Sequence, residues 1–223
     1  MVISIICLVL VFKTSDEAPI FRGELFDWFF CQFSIGNAIL FNLASGLLIS
    51  IWFYFLVVYL PDVKRKKRLK KHFVMQYSVF REQVITHILG SCGESYNSDL
   101  LNKLTNPHEF KVYFDEKVTC GQTRWQVFIG NADSIVVQRI LSEFIAFKEA
   151  TLYLLSKVDI EDEDVHAFLH HFNSITTTLI DIPVDDYDSM KKFSGYLREI
   201  FAGFSWTSGS RNYDYFAKMF EKL

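Results

Sequence analysis

Hydrophobic residues are arranged along this chain in two regimes. Up to residue 60 they come in long blocks, and from about residue 69 they recur every three or four positions. The main block, Ala38 to Leu60, is 23 residues without a charge. A helix of that length covers about 30 Å of hydrocarbon, so it predicts a membrane span over 38–60. The first block, residues 1–12 (MVISIICLVLVF), reaches only about 18 Å as a helix. It lacks a basic n-region, and KTSDEAP offers no small-x-small cleavage site at the right place, which argues against a cleaved signal peptide. Three readings stay open for it: a short or tilted first span extended through Lys13 and Thr14, a segment shortened by a mis-assigned start, or an apolar outer cap. The first is favoured. It gives a two-helix hairpin with a short span over 1–14, an external loop over 15–35 and the main span, so that residues 1–60 form the membrane region. Phe26-Asp27-Trp28-Phe29-Phe30 ahead of the main span fits an interfacial aromatic belt.

The periodic regime predicts helices throughout, and no convincing alternating strand is found. Leu69, Phe73, Tyr77, Phe80, Val84 and Ile88 mark one face of a long amphipathic helix. Pro61 stands where that helix begins or kinks, and Gly90-Ser91-Cys92-Gly93 ends it. A short helix follows over 97–104. Asn106-Pro107-His108-Glu109 carries an N-cap, a proline at N1 and an acid at N3, a helix start. A further helix is expected over 122–129. The longest, over 133–157, has a wide stripe of Ile135, Val136, Ile140, Phe144, Phe147, Leu152 and Leu155 and should lie centrally. Asp159 is expected to cap the next, which runs to about Ile180 and stops at Asp181-Ile182-Pro183. A helix over 186–204, a Ser/Gly loop from Thr207 to Ser210 and a last helix over 212–222 complete the pattern. The fold class is therefore all-α: a transmembrane helix followed by a bundle of six or seven helices over 73–223.

Charge orients this arrangement. Residues 61–72 hold Lys64, Arg65, Lys66, Lys67, Arg68, Lys70 and Lys71 against Asp62, net +6. Such a basic collar directly after a span marks the cytoplasmic side and attracts anionic lipid at about 1 kcal/mol per residue near the surface. The expected location is a plasma or inner membrane, with everything from Pro61 onward in the cytoplasm. Residues 73–223 hold 14 basic and 21 acidic groups, net −7, which argues against a nucleic-acid partner. Half the residues are hydrophobic and 17% aromatic, with 23 Phe, so the bundle can bury a core and disorder is not expected. Cys7, Cys31, Cys92 and Cys120 form no CxxC pair, suggesting neither a disulfide framework nor a zinc knuckle.

Candidate chemistry is sparse. Asn42, Ser45, Gly46 and Ser50, with Ala38, share one face of the main span; small residues and an amide there suit helix packing, against segment 1–12 or a second copy. His166, His170 and His171 form an HxxxHH group with Asp162 and Glu163 one turn earlier. The apolar positions 165, 168, 169, 172 and 179 turn His166 and His170 toward water, so a solvated face is expected rather than a metal site. Asp181 to Asp188 lacks the central Gly and closing Glu of a calcium loop. Trp206, Arg211, Tyr213 and Tyr215 beside a flexible turn are a candidate recognition patch. Phosphate cradles, nucleophile elbows and HExxH are absent. The expectation is a non-enzymatic, cofactor-free module that binds or tethers a protein partner at the membrane, in contact with membrane lipid. The alternative is a ligand- or protein-triggered sensor-effector that acts by homo-oligomerisation of its span.

Overall fold

The computed structural model describes residues 2–15, 33, 35–118, 121–180, 182–183, 186–205, 209–210 and 213–223. Among the described residues the regular structure is helical apart from one pair of two-residue strands and an isolated bridge between Lys117 and Thr123. Helix α1 covers Val2–Thr14 and α2 covers Asn37–Tyr54; a π-helical turn, Phe55–Tyr59, leads into α3, Leu60–Ser91. Then come α4 (Ser98–Leu104), α5 (Pro107–Asp115), α6 (Arg124–Asn131), α7 (Ser134–Lys157), α8 (Glu163–Ile180) and α9 (Tyr187–Phe201). Strands β1 (Phe204–Ser205) and β2 (Gly209–Ser210) pair antiparallel, and α10 is Tyr215–Glu221. The chain divides into two compact units, Met1–Lys67 and Arg68–Leu223.

In the first unit α1 packs on α2. The seam is made by small side chains, with Cys7, Thr14 and Ala44 buried. The Thr14 hydroxyl donates to the Leu10 carbonyl at 2.6 Å, which spares an apolar seam an unpaired O–H. Gly36 opens α2 at φ +85°, a conformation that disfavours any side chain even though nothing crowds the position. The Asn37 side chain then bonds both the N–H and the C=O of Phe33, at 3.0 and 2.7 Å. The helix from Asn37 to Ser91 is 55 residues long and includes a stretch long and apolar enough to cross a membrane. Pro61 neither begins nor breaks it. Proline removes one backbone donor and crowds the preceding turn; the wide π turn lies directly on its N-terminal side, where such widening relieves crowding.

The second unit is a bundle built around α3, whose buried face is Phe73, Tyr77, Phe80, Arg81, Val84, Ile85, Ile88 and Leu89. Phe80 meets Phe144 and Phe147 of α7 with centroids at 4.9 Å each, Phe172 of α8 at 6.4 Å and Phe201 of α9 at 5.9 Å. Tyr77 stacks on Phe216 of α10 at 5.3 Å, and Phe73 meets Phe220 edge-on at 4.9 Å. Full burial of a Phe contributes about 1.5–3 kcal/mol, and each well-placed aromatic pair about 0.5–1.5 more, so these rings dominate the core. A smaller cluster of Phe110, Phe114, Trp125 and Phe128 holds α5 to α6.

Each helix after α3 starts on a capping side chain: Asn97, Asn106, Thr123, Asp133, Asp162, Asp186 and Asp214. Asp162, not Asp159, caps α8: its carboxylate accepts from the Val165 N–H at 3.1 Å. The stripe expected on α7 is rotated. Ile135 and Leu152 are exposed, while Val137, Leu141, Thr151 and Leu154 are buried beside Ile140, Phe144 and Phe147. Helix α9 ends at Phe201 rather than 204, because Gly203 takes φ +63° and turns the chain into β1.

Candidate functional site

The most chemically distinctive place in the bundle lies between α3 and α10. Helical spacing puts Tyr77 and Arg81 one turn apart on the buried face of α3, and the cap of α10 brings Asp214 to them. Arg81 Nη1 donates to Asp214 Oδ2 at 2.5 Å and to the Tyr77 hydroxyl at 2.9 Å. The Tyr77 hydroxyl in turn donates to both Asp214 oxygens, at 2.8 and 2.9 Å. Arg81 is 2% exposed, while the Asp214 side chain keeps 18% of its surface. Burial pushes the Tyr77 phenol far above its ordinary value. Burial also disfavours a charged Arg81, but the oxygens of Tyr77 and Asp214 more than offset this and hold it protonated. The three groups form the wall of a groove of about 640 Å³ that also includes Lys70, Glu82, Asn102 and Glu221. Removing any one partner would leave a buried charge or hydroxyl uncompensated.

A second network joins the loop after α3 to α5 and α6. Glu94 accepts from Arg124 Nε at 2.8 Å and from the Tyr113 hydroxyl; Arg124 Nη1 also reaches Glu116 and the Tyr113 carbonyl. The guanidinium lies 4.3 Å over the Tyr113 ring. Burial raises the Glu94 carboxyl, but hydrogen bonds from Tyr113 and Arg124 outweigh it and leave it below its ordinary value. Cys92 sits beside this network, and burial together with the Glu94 charge pushes its thiol up to about 11. Such a thiol is almost wholly protonated at neutral pH and is a poor nucleophile.

The residues singled out from the sequence are scattered. On α2, Asn42, Gly46 and Ser50 are exposed and Ser45 is partly covered; α1 rests instead on the face carrying Ala44. No hydrogen bond joins the Asn42 amide to another described residue, whereas the Ser50 hydroxyl donates to the Gly46 carbonyl at 2.8 Å. Lys64, Arg65, Lys66, Lys67, Arg68 and Lys71 are exposed and Lys70 is partly covered, its Nζ 3.4 Å from the Glu221 carbonyl. His166, His170 and His171 are exposed, with the first two rings 4.5 Å apart. Asp162 is engaged by Lys222 at 3.2 Å, and among the described residues no group of three or more ligating side chains is set to hold a metal ion. Tyr213 is exposed under Lys218, and Tyr215 meets Phe168 edge-on at 5.1 Å. Trp206, Arg211, Cys31, Cys120, the aromatic run 26–30, and Asp181 and Asp185 lie outside the described residues.

Sequence reasoning passed over Tyr77, Arg81 and Asp214 as a set. The readable signal was Arg81 itself, a cation set within the apolar stripe of 77, 80, 84 and 88. Its partner 133 positions away carried no signal at all. No protein-family model, no curated protein and no solved structure matches this chain.

Proposed function

We propose that this chain is a membrane-anchored helical module whose bundle stands in the cytoplasm and binds or tethers a protein partner at the inner face of a plasma or inner membrane, without catalysis. One observation carries the reading: 23 uncharged residues are followed directly by seven cations on a continuing helix. Length fits the hydrocarbon, and the charge asymmetry sets the side. Anionic headgroups attract the collar and repel the acidic bundle, which leaves bundle surface free for a partner. A reporter fused after Leu223 is expected to be active only in its cytoplasmic form. Cytoplasm-silent, externally active fusions would overturn the reading.

A second reading, a sensor-effector, is favoured by the placement of Asn42 and Gly46. An amide facing lipid seeks a partner, and a glycine one turn on permits close approach of another helix. Since α1 covers a different face, a second copy is the partner this face suits. Crosslinking of the full chain should then yield oligomers that Asn42→Leu with Gly46→Leu abolishes. A monomeric wild type indistinguishable from the double variant would leave the passive tether.

A further inference from the structure

Among the described residues, Arg81 is a buried cation whose hydrogen bonding is only partly met. Arg81 spends Nη1 on Tyr77 and Asp214, while Nε and Nη2 have no acceptor. Those two nitrogens lie on one edge of the guanidinium, the edge on which arginine receives two oxygens of a carboxylate or phosphate side-on. Buried donors are rarely left unpaired in native interiors. Arg81 is one of the residues that line the groove between α3 and α10. Both nitrogens are shielded from solvent, so access takes a local side-chain rearrangement in that wall.

The charges around the groove narrow the ligand. Arg81 and Asp214 neutralise each other, Lys70 adds one cation, and Glu82 and Glu221 add two carboxylates. A plain anion would satisfy Arg81 but meet two negative neighbours. A plain cation would suit the glutamates and leave the arginine unmet. We infer that the groove binds a small zwitterion, its carboxylate or phosphate on the Nε–Nη2 edge of Arg81 and its ammonium against Glu82 and Glu221. This does not depend on the tether reading, because it concerns the bundle's interior rather than its partner or its orientation. Both a free amino acid and the headgroup of an ethanolamine phospholipid have this chemistry.

The test is a thermal-shift titration of the full chain in detergent with glycine, phosphoethanolamine, acetate, inorganic phosphate and ethanolamine. A parallel titration uses lipid nanodiscs with and without phosphatidylethanolamine. The two zwitterions are expected to raise the midpoint, and the simple ions to do so at least tenfold more weakly. Response to free compounds identifies a soluble ligand; response only to phosphatidylethanolamine identifies the lipid. Arg81→Lys keeps the charge and loses the side-on fork, so it should abolish the response. Glu82 is exposed, so Glu82→Gln tests the ammonium subsite without disturbing the core, and should weaken zwitterion binding at least tenfold. If Arg81→Lys does not fold, Glu82→Gln decides alone. Absence of any zwitterion response, an equal response to acetate or phosphate, or wild-type binding by Glu82→Gln overturns the proposal.

Discussion

Phe80 meets three other helices, α7, α8 and α9, through its ring, so one side-chain change there bears on much of the bundle. Truncation to alanine removes a ring that is 2% exposed and leaves a cavity among Phe144, Phe147, Phe172 and Phe201 that these large neighbours cannot close. Phe80→Ala should cost about 3–5 kcal/mol of unfolding free energy, read from denaturant titration. Cys92 makes a chemical prediction. Raised to about 11, its thiol should be alkylated roughly 100-fold more slowly at pH 7.5 than an ordinary exposed cysteine, as site-resolved mass spectrometry would measure. Its silence toward an external reagent therefore says nothing about sidedness; Ser142→Cys, on the exposed side of α7, is the better reporter. Glu94 sets a pH dependence. Its carboxyl is held below the ordinary 4.5 in the folded chain, so its contribution is present above that value and is lost as pH falls through the lowered one. Glu94→Gln should flatten the acid limb of stability against pH.

Among the elements, those with a local cause were readable and those settled by distant neighbours were not. Asn106-Pro107 announced α5, and the Asn106 side chain does accept from the His108 N–H at 2.9 Å. Asn106→Ala should cost about 1 kcal/mol, measured in thermal unfolding. The start of α8 was misplaced because acids at 159, 161, 162, 163 and 164 all look like caps; only the folded chain chooses, and it chooses Asp162. Asp162→Ala should lower the melting midpoint, whereas Asp159→Ala should leave it unchanged. Helix α7 failed differently. Apolar residues lie on more than one of its faces, so periodicity cannot select the inner one; the rings of α3 and α8 do, leaving Ile135 and Leu152 outside. The strand pair after α9 was invisible because two residues carry no period.

For the whole molecule, blocks of hydrophobicity and charge were legible because they act over many residues. The helix long enough to cross a membrane and the all-helical bundle both follow from them. The groove at Arg81 did not, because it needs Tyr77 and Asp214 to meet across 137 positions. If the collar sets orientation, replacing Lys64, Arg65, Lys66 and Lys67 with Gln should convert part of the population to the opposite topology, counted by a two-sided reporter fusion.

The same separation has a consequence in time. The aromatic face of α3 is translated first, yet Asp214, Phe216 and Phe220, which cover it, emerge about 137 residues later. At roughly 5–20 residues per second, that face waits about 7–27 s beside the ribosome without its cover. A sticky row of rings held open for so long is an opportunity for a chaperone and a hazard without one. Pauses in translation anywhere between the two segments should therefore lower the yield of folded protein far more than pauses upstream of α3.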